Sequence, residues 1–248
     1  MSNKSSKIVE RGQLYLHQHP ILRKLCKPFS YIYKQCVLRP KAKKRNKVFR
    51  ENALQVIDAF DKCLTSNGFE YTLAFGTMLG AVREHGFIKH DFDIDVAMWK
   101  DQYSPNLQKC LEQAGFVLYH EYIVDDGKCG FEQTYKYLGV AIDIFFIYPA
   151  IDEYPYCCDF VKIHGNKPFS HNSKTYKKVR ARRLHLPWGK EFVRIPFEGI
   201  NLPVSSNAHE ILSFRYGPDY MTPNPKWRYT VVNKYTTIWE DKDAYVIK

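Results

Sequence analysis

The chain of 248 residues is 45% hydrophobic and 25% charged, a balance that supports a folded core and excludes a largely disordered protein. Its seven cysteines form no CxxC pair and have no matching pair of histidines, which argues against a disulfide framework and a structural zinc site. No apolar run approaches the roughly 20 residues of a membrane-spanning helix, and no opening segment has a signal-peptide pattern. We therefore expect a cytoplasmic protein with reduced thiols.

Positive charge is concentrated at the amino-terminal end. Residues 1–50 contain fourteen Lys or Arg and one acidic residue, Glu10, so their net charge of +13 exceeds the +11 of the whole chain. Apolar and aromatic residues are mixed with the basic ones over 1–47, a pattern typical of segments that lie on anionic membranes. We predict a basic amphipathic arm, residues 1–47, peripheral on the inner face of the cytoplasmic membrane. A solvated arm and nucleic-acid binding are the alternatives, the latter least favoured.

Residues 48–248 form the second predicted domain, and its first element is the clearest helix of the sequence. Apolar residues recur every three or four positions over 48–66, so that they form one stripe on a helix surface. Gly68 follows the last of them and favours the left-handed conformation in which helices often end. The spacing predicts a helix over 48–66 whose stripe faces the core.

A tight turn with phosphate-binding character comes next. A short strand over 70–75 runs into Gly76 and Thr77, where a small residue fits the turn best. The helix predicted over 77–84 leaves backbone N–H groups free at its start, and such groups bind phosphate oxygens. We therefore predict a phosphate site at Gly76 and Thr77.

Two aspartates follow closely behind this turn. Asp93 and Asp95 alternate with apolar residues in a predicted strand that ends near Trp99, so both side chains project from one face about 7 Å apart. Carboxylates in this arrangement can converge on a divalent cation, whereas a buried pair without metal repels until one takes up a proton. The pattern predicts a metal beside a phosphate, with a solvated strand end as the alternative.

A third acid lies in the middle of an apolar strand. The elements predicted before it are a helix over 106–114, a strand over 116–124, a turn at 125–127 and a strand over 131–138. Asp143 then stands in an apolar strand over 140–147, where a carboxylate is costly unless it is paired or bound to a metal. It is either a further metal ligand or a residue on the solvent face of an edge strand.

A second basic segment lies beyond residue 149, where the patterns become weaker. Residues 174–183 hold six Lys or Arg, among them Arg180 and Arg182. This density of positive charge is suited to binding a pyrophosphate or an anionic acceptor. A solvated basic face is the alternative.

The last predicted elements are a hairpin and a short helix. Residues 191–204 alternate as two strands around a turn at Glu198 and Gly199. The helix is predicted over 208–215, capped by Ser205 or Ser206.

Three segments resemble the LicD family, which includes the fukutin-related branch. Residues 76–98 (GTMLGAVREHGFIKHDFDIDVAM) are similar to its core, in which a Gly-Thr turn precedes Asp-x-Asp. Residues 142–145 (IDIF) resemble the strand of its third acid, and residues 212–227 resemble its carboxy-terminal Tyr-Gly element. The resemblance covers roughly residues 50–227.

The resemblance implies a fold and a reaction. The fold is α/β (α+β), a nucleotidyltransferase-like mixed sheet flanked by helices, here with a basic amino-terminal arm. The reaction is transfer of a phospho-alcohol from a CDP-activated donor to a sugar hydroxyl of a glycan or lipid-linked oligosaccharide, with release of CMP. Phosphocholine is the expected group, ribitol phosphate and glycerol phosphate are alternatives, and the acceptor is of the lipopolysaccharide, capsule or teichoic acid type.

The resemblance also assigns roles to individual residues. Asp93, Asp95 and Asp143 would hold Mg²⁺ or Mn²⁺ and carry catalysis. Gly76, Thr77 and Arg83 would bind the phosphates of the donor. Predicted contacts to donor or acceptor are His90, Asp91, Arg180 and Arg182.

One departure from the family pattern lies at the site itself. The family commonly has Trp-Asp-Asp-Asp-Ile-Asp where this chain has His90-Asp-Phe-Asp-Ile-Asp95. The Asp-x-Asp positions survive, so the departure leaves open the donor alcohol more than the metal chemistry. Two other functions stay as alternatives. One is a true nucleotidyltransferase that leaves a nucleotide on its acceptor, and the other is a non-enzymatic basic module that binds nucleic acid or membrane.

Overall fold

The computed structural model describes residues 39–89, 91–151, 153–163, 165–171, 173–224 and 235–247. The chain divides into two units, Met1–Lys47 and Val48–Lys248. Most of the predicted basic arm lies outside the described residues, so its membrane binding stays a prediction. None of the helices among the described residues is long and apolar enough to cross a membrane.

Four helices and twelve strands make up the described structure. The helices are α1 (Arg39–Ser66), α2 (Phe75–Glu84), α3 (Pro105–Gln113) and α4 (Ala208–Tyr216). The first strands are β1 (Thr72–Leu73), β2 (Asp93–Trp99), β3 (Val117–Val124), β4 (Gly130–Tyr137), β5 (Val140–Ile147) and β6 (Tyr156–Lys162). The remaining strands are β7 (Phe169–His171), β8 (Lys174–His185), β9 (Phe192–Phe197), β10 (Ile200–Ser205), β11 (Thr236–Ile238) and β12 (Ala244–Ile247).

Ten of these strands form one curled sheet. Its order is β1-β2-β5-β4-β3-β12-β8-β11, and β6 and β7 also pair with β8. Strands β2 and β5 run parallel, and the other described pairs are antiparallel. Strands β9 and β10 form a separate hairpin. This mixed sheet flanked by helices confirms the predicted fold class.

The apolar stripe predicted for the first helix lies in the core. Its buried members are Phe49, Ala53, Val56, Ile57, Phe60 and Leu64. The ring of Phe60 makes edge contacts with those of Tyr71 and Phe116, at centroid distances of 5.3 and 5.9 Å. The helix ends as predicted, with Gly68 at φ 73°. It begins earlier than predicted, at Arg39, because Pro40 is tolerated in a first helical turn.

The turn before α2 differs from the prediction. Strand β1 contains only Thr72 and Leu73, and α2 starts at Phe75 rather than at residue 77. The left-handed backbone conformation falls on Phe75, at φ 42°, instead of on the glycine. The Phe75 ring packs edge-on against Phe145 and Trp188, with centroids 4.8 and 6.1 Å away, and these contacts stabilise the strained turn.

The carboxy-terminal half agrees with the predictions only in part. The hairpin β9–β10 has its turn at Glu198 and Gly199, both with positive φ, as predicted. The cap of α4 is Asn207, so the prediction of Ser205 or Ser206 is wrong. Ser205 belongs to β10, where its backbone is committed to the strand. Strands β6, β7, β11 and β12 had no clear sequence signal.

The described residues include five of the seven cysteines. Cys63, Cys110, Cys129, Cys157 and Cys158 are all free thiols. Cys110, Cys157 and Cys158 are buried in the core, and burial raises the pKa of the Cys157 and Cys158 thiols.

Candidate active site

The predicted acids meet on one face of the sheet. Asp95 on β2 and Asp143 on β5 are direct partners in the parallel pair, so their side chains lie side by side, one strand spacing or about 5 Å apart. Asp93 precedes Asp95 by two residues on the same face. Thr134 on β4 is the next partner in this row, and its hydroxyl donates a 2.5 Å hydrogen bond to Oδ1 of Asp143.

The turn before α2 is fixed directly onto this row. The N–H of Ala74 donates to the carbonyl oxygen of Asp95, and the N–H of Asp95 donates to Oγ1 of Thr77, both at 2.9 Å. A backbone hydrogen bond from Gly76 reaches the Asp95 carboxylate itself. Because Thr77 is fully buried, its hydroxyl holds the turn in place, and any phosphate contact there falls to backbone N–H groups.

Asp91, one of the predicted contacts, is also brought to the turn. A Cβ added at Gly76 would stand 3.1 Å from Oδ2 of Asp91, so the glycine makes room for this carboxylate. That oxygen is buried and has no hydrogen-bond partner among the described residues. His90 lies outside the described residues. We call Asp91, Asp93, Asp95 and Asp143 the carboxylate site.

Like charges dominate the electrostatics of the carboxylate site. Burial, followed by Asp93, Asp143 and Asp91, raises the pKa of Asp95 well above its ordinary value. Burial raises the pKa of Asp143 to about 6, although the hydrogen bond from Thr134 opposes the shift. Burial and Asp93 raise the pKa of Asp91 to about 7. Without a cation, these carboxyl groups therefore take up protons more readily than isolated aspartates do.

Comparison with known proteins identifies the family. Residues 68–207, more than half of the chain, match the domain model described as LicD/FKTN/FKRP, nucleotidyltransferase domain. This chain belongs to the LicD family. The predicted resemblance is confirmed, and the matched segment contains the turn before α2 and the whole carboxylate site.

Individual relatives come from animals and bacteria. Ribitol-5-phosphate transferase FKTN of Mus musculus is 31% identical over 108 residues, which cover 42% of this chain and 23% of the mouse protein. Lipopolysaccharide cholinephosphotransferase LicD of Haemophilus influenzae is 42% identical over 50 residues, 20% of this chain and 19% of that protein. Uncharacterized protein RP689 of Rickettsia prowazekii is 23% identical over 190 residues, 68% of this chain and 67% of that protein. The match thus spans about a quarter of the mouse relative.

The donor groups of this LicD-family site fit a hard divalent cation. Carboxylate oxygens are the ligands that Mg²⁺ and Mn²⁺ prefer, and the buried Oδ2 of Asp91 lacks a partner within the described structure. No three His, Cys, Asp or Glu side chains of the described residues are already placed to hold a metal by themselves. Mg²⁺ is usually bound by one or two carboxylates together with substrate phosphates, so a preassembled cage is not required. The three-carboxylate ligand set stays a prediction.

Arg83 joins α2 to the Tyr-Gly segment that follows α4. Its guanidinium contacts Oε1 of Glu84 at 2.6 Å and donates to the carbonyl oxygen of Tyr220 at 3.4 Å. Its charge also lowers the pKa of Asp91 against the effect of burial. Arg83 therefore holds two segments of the site together, and its predicted phosphate contact stays a prediction.

The two predicted arginines of β8 occupy different environments. Arg182 is buried and forms an ion pair with Asp159 of β6, with Nε donating to Oδ1 at 2.8 Å. Arg180 lines an open cavity of about 560 Å³ together with Lys178 and Trp239. Arg182 therefore has a structural partner, while Arg180 faces a surface cavity that a ligand can enter.

Sequence reasoning missed two parts of the site. Glu132 lies on β4 two residues from Thr134, and the alternation of the strand places it on the face of Asp143. Tyr216 ends α4, and its pKa is raised by burial and further by Asp95 and Asp91, which places its hydroxyl near the carboxylates. The resemblance of the Tyr-Gly segment was the available signal for Tyr216, and strand alternation was the signal for Glu132.

Proposed function

We propose that this LicD-family protein transfers a phospho-alcohol, phosphocholine in the first instance, from a CDP-activated donor to a sugar hydroxyl, with release of CMP. The observation that carries the proposal is the pairing of Asp95 with Asp143 on parallel strands directly beside the turn at Gly76. The names of the Haemophilus and mouse relatives, a cholinephosphotransferase and a ribitol-5-phosphate transferase, support a phospho-alcohol as the group transferred.

The residues of the site divide the work of phosphoryl transfer. Asp93 and Asp95 would hold Mg²⁺ or Mn²⁺, which when bound neutralises the donor phosphates. Backbone N–H groups at the start of α2 orient the pyrophosphate. The hydroxyl oxygen of the acceptor forms a bond to the phosphorus that carries the alcohol, and the bond to the bridging oxygen breaks as CMP leaves. Asp143, whose Oδ1 accepts a hydrogen bond from Thr134, would accept the hydroxyl proton on Oδ2.

A donor panel tests this proposal. The protein is incubated with Mg²⁺ or Mn²⁺ and CDP-choline, CDP-ribitol or CDP-glycerol, and CMP release is measured together with the mass of the acceptor product. A mass gain of one alcohol phosphate is expected. A gain of one nucleotide would instead identify a true nucleotidyltransferase, and no reaction with any donor would contradict the proposal. Ribitol phosphate is the second candidate, because the mouse relative is named for its transfer.

The basic arm provides a second, independent proposal. We propose that residues 1–47 attach the enzyme to anionic membranes, because the net charge of +13 over residues 1–50 is combined with apolar side chains. Deleting residues 1–47 should abolish binding to phosphatidylserine vesicles, and binding of the full chain should weaken as salt shortens the Debye length below about 10 Å. Equal vesicle binding by both proteins, or arm-dependent binding to RNA but not to lipid, would contradict this.

A further inference from the structure

Glu132 is a buried acid with no hydrogen-bond partner among the described residues. Its side chain is only 8% exposed, and it makes no hydrogen bond with any residue that the structure describes. The charges that act on it most strongly are those of Asp143, Asp159 and Asp95, which together with burial raise its pKa well above the ordinary value. A buried carboxyl without a hydrogen-bond donor costs stability, so a structural role does not account for it.

The position of Glu132 is set by strand register. On β4 it stands opposite Phe145, one pleat beyond the row of Thr134 and Asp143. On its other side it is the direct partner of Tyr122 on β3. The pKa of the Tyr122 hydroxyl is raised by burial and then by Glu132 and Asp143, so this hydroxyl lies close to both acids. The face of the carboxylate site therefore continues through Glu132 to Tyr122.

The order of the strands separates two sides of this face. The turn at Gly76 is bound to Asp95 on β2, whereas Glu132 lies on β4, two strand spacings or about 10 Å away. Asp143 on β5 lies between them. In a phosphoryl transfer the attacking and leaving oxygens stand on opposite sides of the phosphorus. With the donor pyrophosphate at the turn, the attacking hydroxyl approaches from β4 and β3.

We propose that Glu132 and Tyr122 form the acceptor subsite and bind hydroxyl groups of the sugar that receives the phospho-alcohol. This inference rests on the proposed function. A carboxyl group beside a phenol hydroxyl matches a sugar, whose neighbouring hydroxyls offer the hydrogen-bond partners that Glu132 does not have among the described residues. The Tyr122 ring is stacked on that of Phe160, with centroids 5.0 Å apart, so its hydroxyl is held rigidly beside the acid.

The test compares transfer to a sugar with transfer to water. Wild type, Glu132→Met, Glu132→Gln and Tyr122→Phe are given CDP-choline and a panel of methyl glycosides, and the ratio of glycoside product to hydrolysed donor is measured. Both Glu132 variants should lower this ratio, Glu132→Met by about 10-fold, which corresponds to the loss of one hydrogen bond to the sugar. Tyr122→Phe, which keeps the ring stack, should lower the ratio by less.

A matched control lies one strand away. Glu121 on β3 projects from the other face, where it accepts a hydrogen bond from Gln133 at 3.0 Å. Glu121→Gln should leave the product ratio at the wild-type value. Thermal unfolding distinguishes a structural role, because a residue that stabilises the fold should lower the unfolding temperature when it is replaced. Glu132→Met should unfold at the same temperature as wild type or higher, because it removes a buried acid that has no hydrogen-bond partner among the described residues.

The possible outcomes separate this inference from the proposed function. An unchanged product ratio in Glu132→Met, while wild type releases CMP, would overturn the acceptor subsite alone. A raised KM for CDP-choline at an unchanged ratio would also overturn it, because Glu132 would then bind the donor's ammonium group. CMP release without any glycoside product by wild type would contradict a sugar hydroxyl as ligand. Absence of CMP release from every CDP-alcohol would overturn the proposed function and this inference with it.

Discussion

The carboxylate site and the basic strand β8 handle charge in opposite ways. On β8 three of the six cations have an acid within reach: Arg182 contacts Asp159, Lys178 contacts Asp243, and Lys174 lies 3.5 Å from Glu121. In the carboxylate site, Asp95 and Asp143 stand side by side, and the neighbouring acids raise the pKa of Asp95 beyond the effect of burial. A partner compensates a buried charge such as that of Arg182, whereas gathered like charge opposes folding. This difference makes the carboxylate site the better candidate for binding a charged ligand.

The largest expected effect on stability comes from breaking the buried ion pair between Arg182 on β8 and Asp159 on β6. Asp159→Asn removes the charge that compensates the buried Arg182 and should lower the free energy of unfolding by about 3 kcal/mol, measured by chemical denaturation. Asp243→Asn is the control, because its pair with Lys178 is exposed and should not matter measurably. Equal unfolding curves for Asp159→Asn and wild type would mean that β8 is not held by its ion pairs.

A bound cation should compensate the negative charge of the carboxylate site, as acidic partners compensate cations on β8. Mg²⁺ or Mn²⁺ should raise the unfolding temperature of wild type, with a stabilisation of about 2.7 kcal/mol when the ion is present at 100 times its Kd. Asp95→Asn should lose most of this gain, and Asp126→Asn, in an exposed turn, should keep it. Equal metal stabilisation of all three proteins would show that the ion binds elsewhere.

Without metal, neutralising the gathered charge should stabilise the protein. Asp95→Asn removes one member of the repelling group and should raise the free energy of unfolding by about 1 to 2 kcal/mol at pH 8. The folded-state pKa of Asp95 is raised, so its deprotonation costs stability as pH rises above its unfolded value of about 3.9. The advantage of Asn should therefore shrink as the pH falls through about 4 towards about 3, where the carboxyl group is protonated in both states. A larger advantage at pH 4 than at pH 8 would contradict the account.

The smallest expected effect on the fold comes from crowding Asp91. In Gly76→Ala the new Cβ would stand 3.1 Å from Oδ2 of Asp91, so the carboxylate has to move by a few tenths of an ångström. The free energy of unfolding should change by less than about 1 kcal/mol, because Gly76 does not have a positive φ and alanine can adopt its backbone conformation. CMP release should fall several-fold as the turn and the acid separate. Full activity would show that Asp91 does not need to approach the turn.

Local patterns were sufficient for the elements that carry the acids. Alternation along a strand predicted that Asp93 and Asp95 share a face, and an acid in an apolar strand singled out Asp143. The pairing of Asp95 with Asp143 came from the family resemblance, because strand order is not visible in a single strand.

Features set by distant contacts could not be predicted. The strained conformation of Phe75 depends on rings of Phe145 and Trp188, which are remote in sequence. The burial of Glu132 is set by tertiary contacts, since the six residues Gly130–Tyr135 of β4 are buried on both faces of the strand and no local pattern predicts this. Strands β11 and β12 are short, and their pairing with β8 and β3 supplies the stability that local propensity does not.

The most direct test of the central claim is the rate of CMP release from CDP-choline in the presence of Mg²⁺. Wild type and Asp126→Asn should release CMP at similar rates, and Asp95→Asn should be slower by more than about 100-fold, because a lost metal ligand removes several kcal/mol of transition-state stabilisation. Unfolding curves measured on the same samples should show that Asp95→Asn remains folded. A folded Asp95→Asn protein that keeps more than about a tenth of the wild-type rate would contradict the assignment of the carboxylate site.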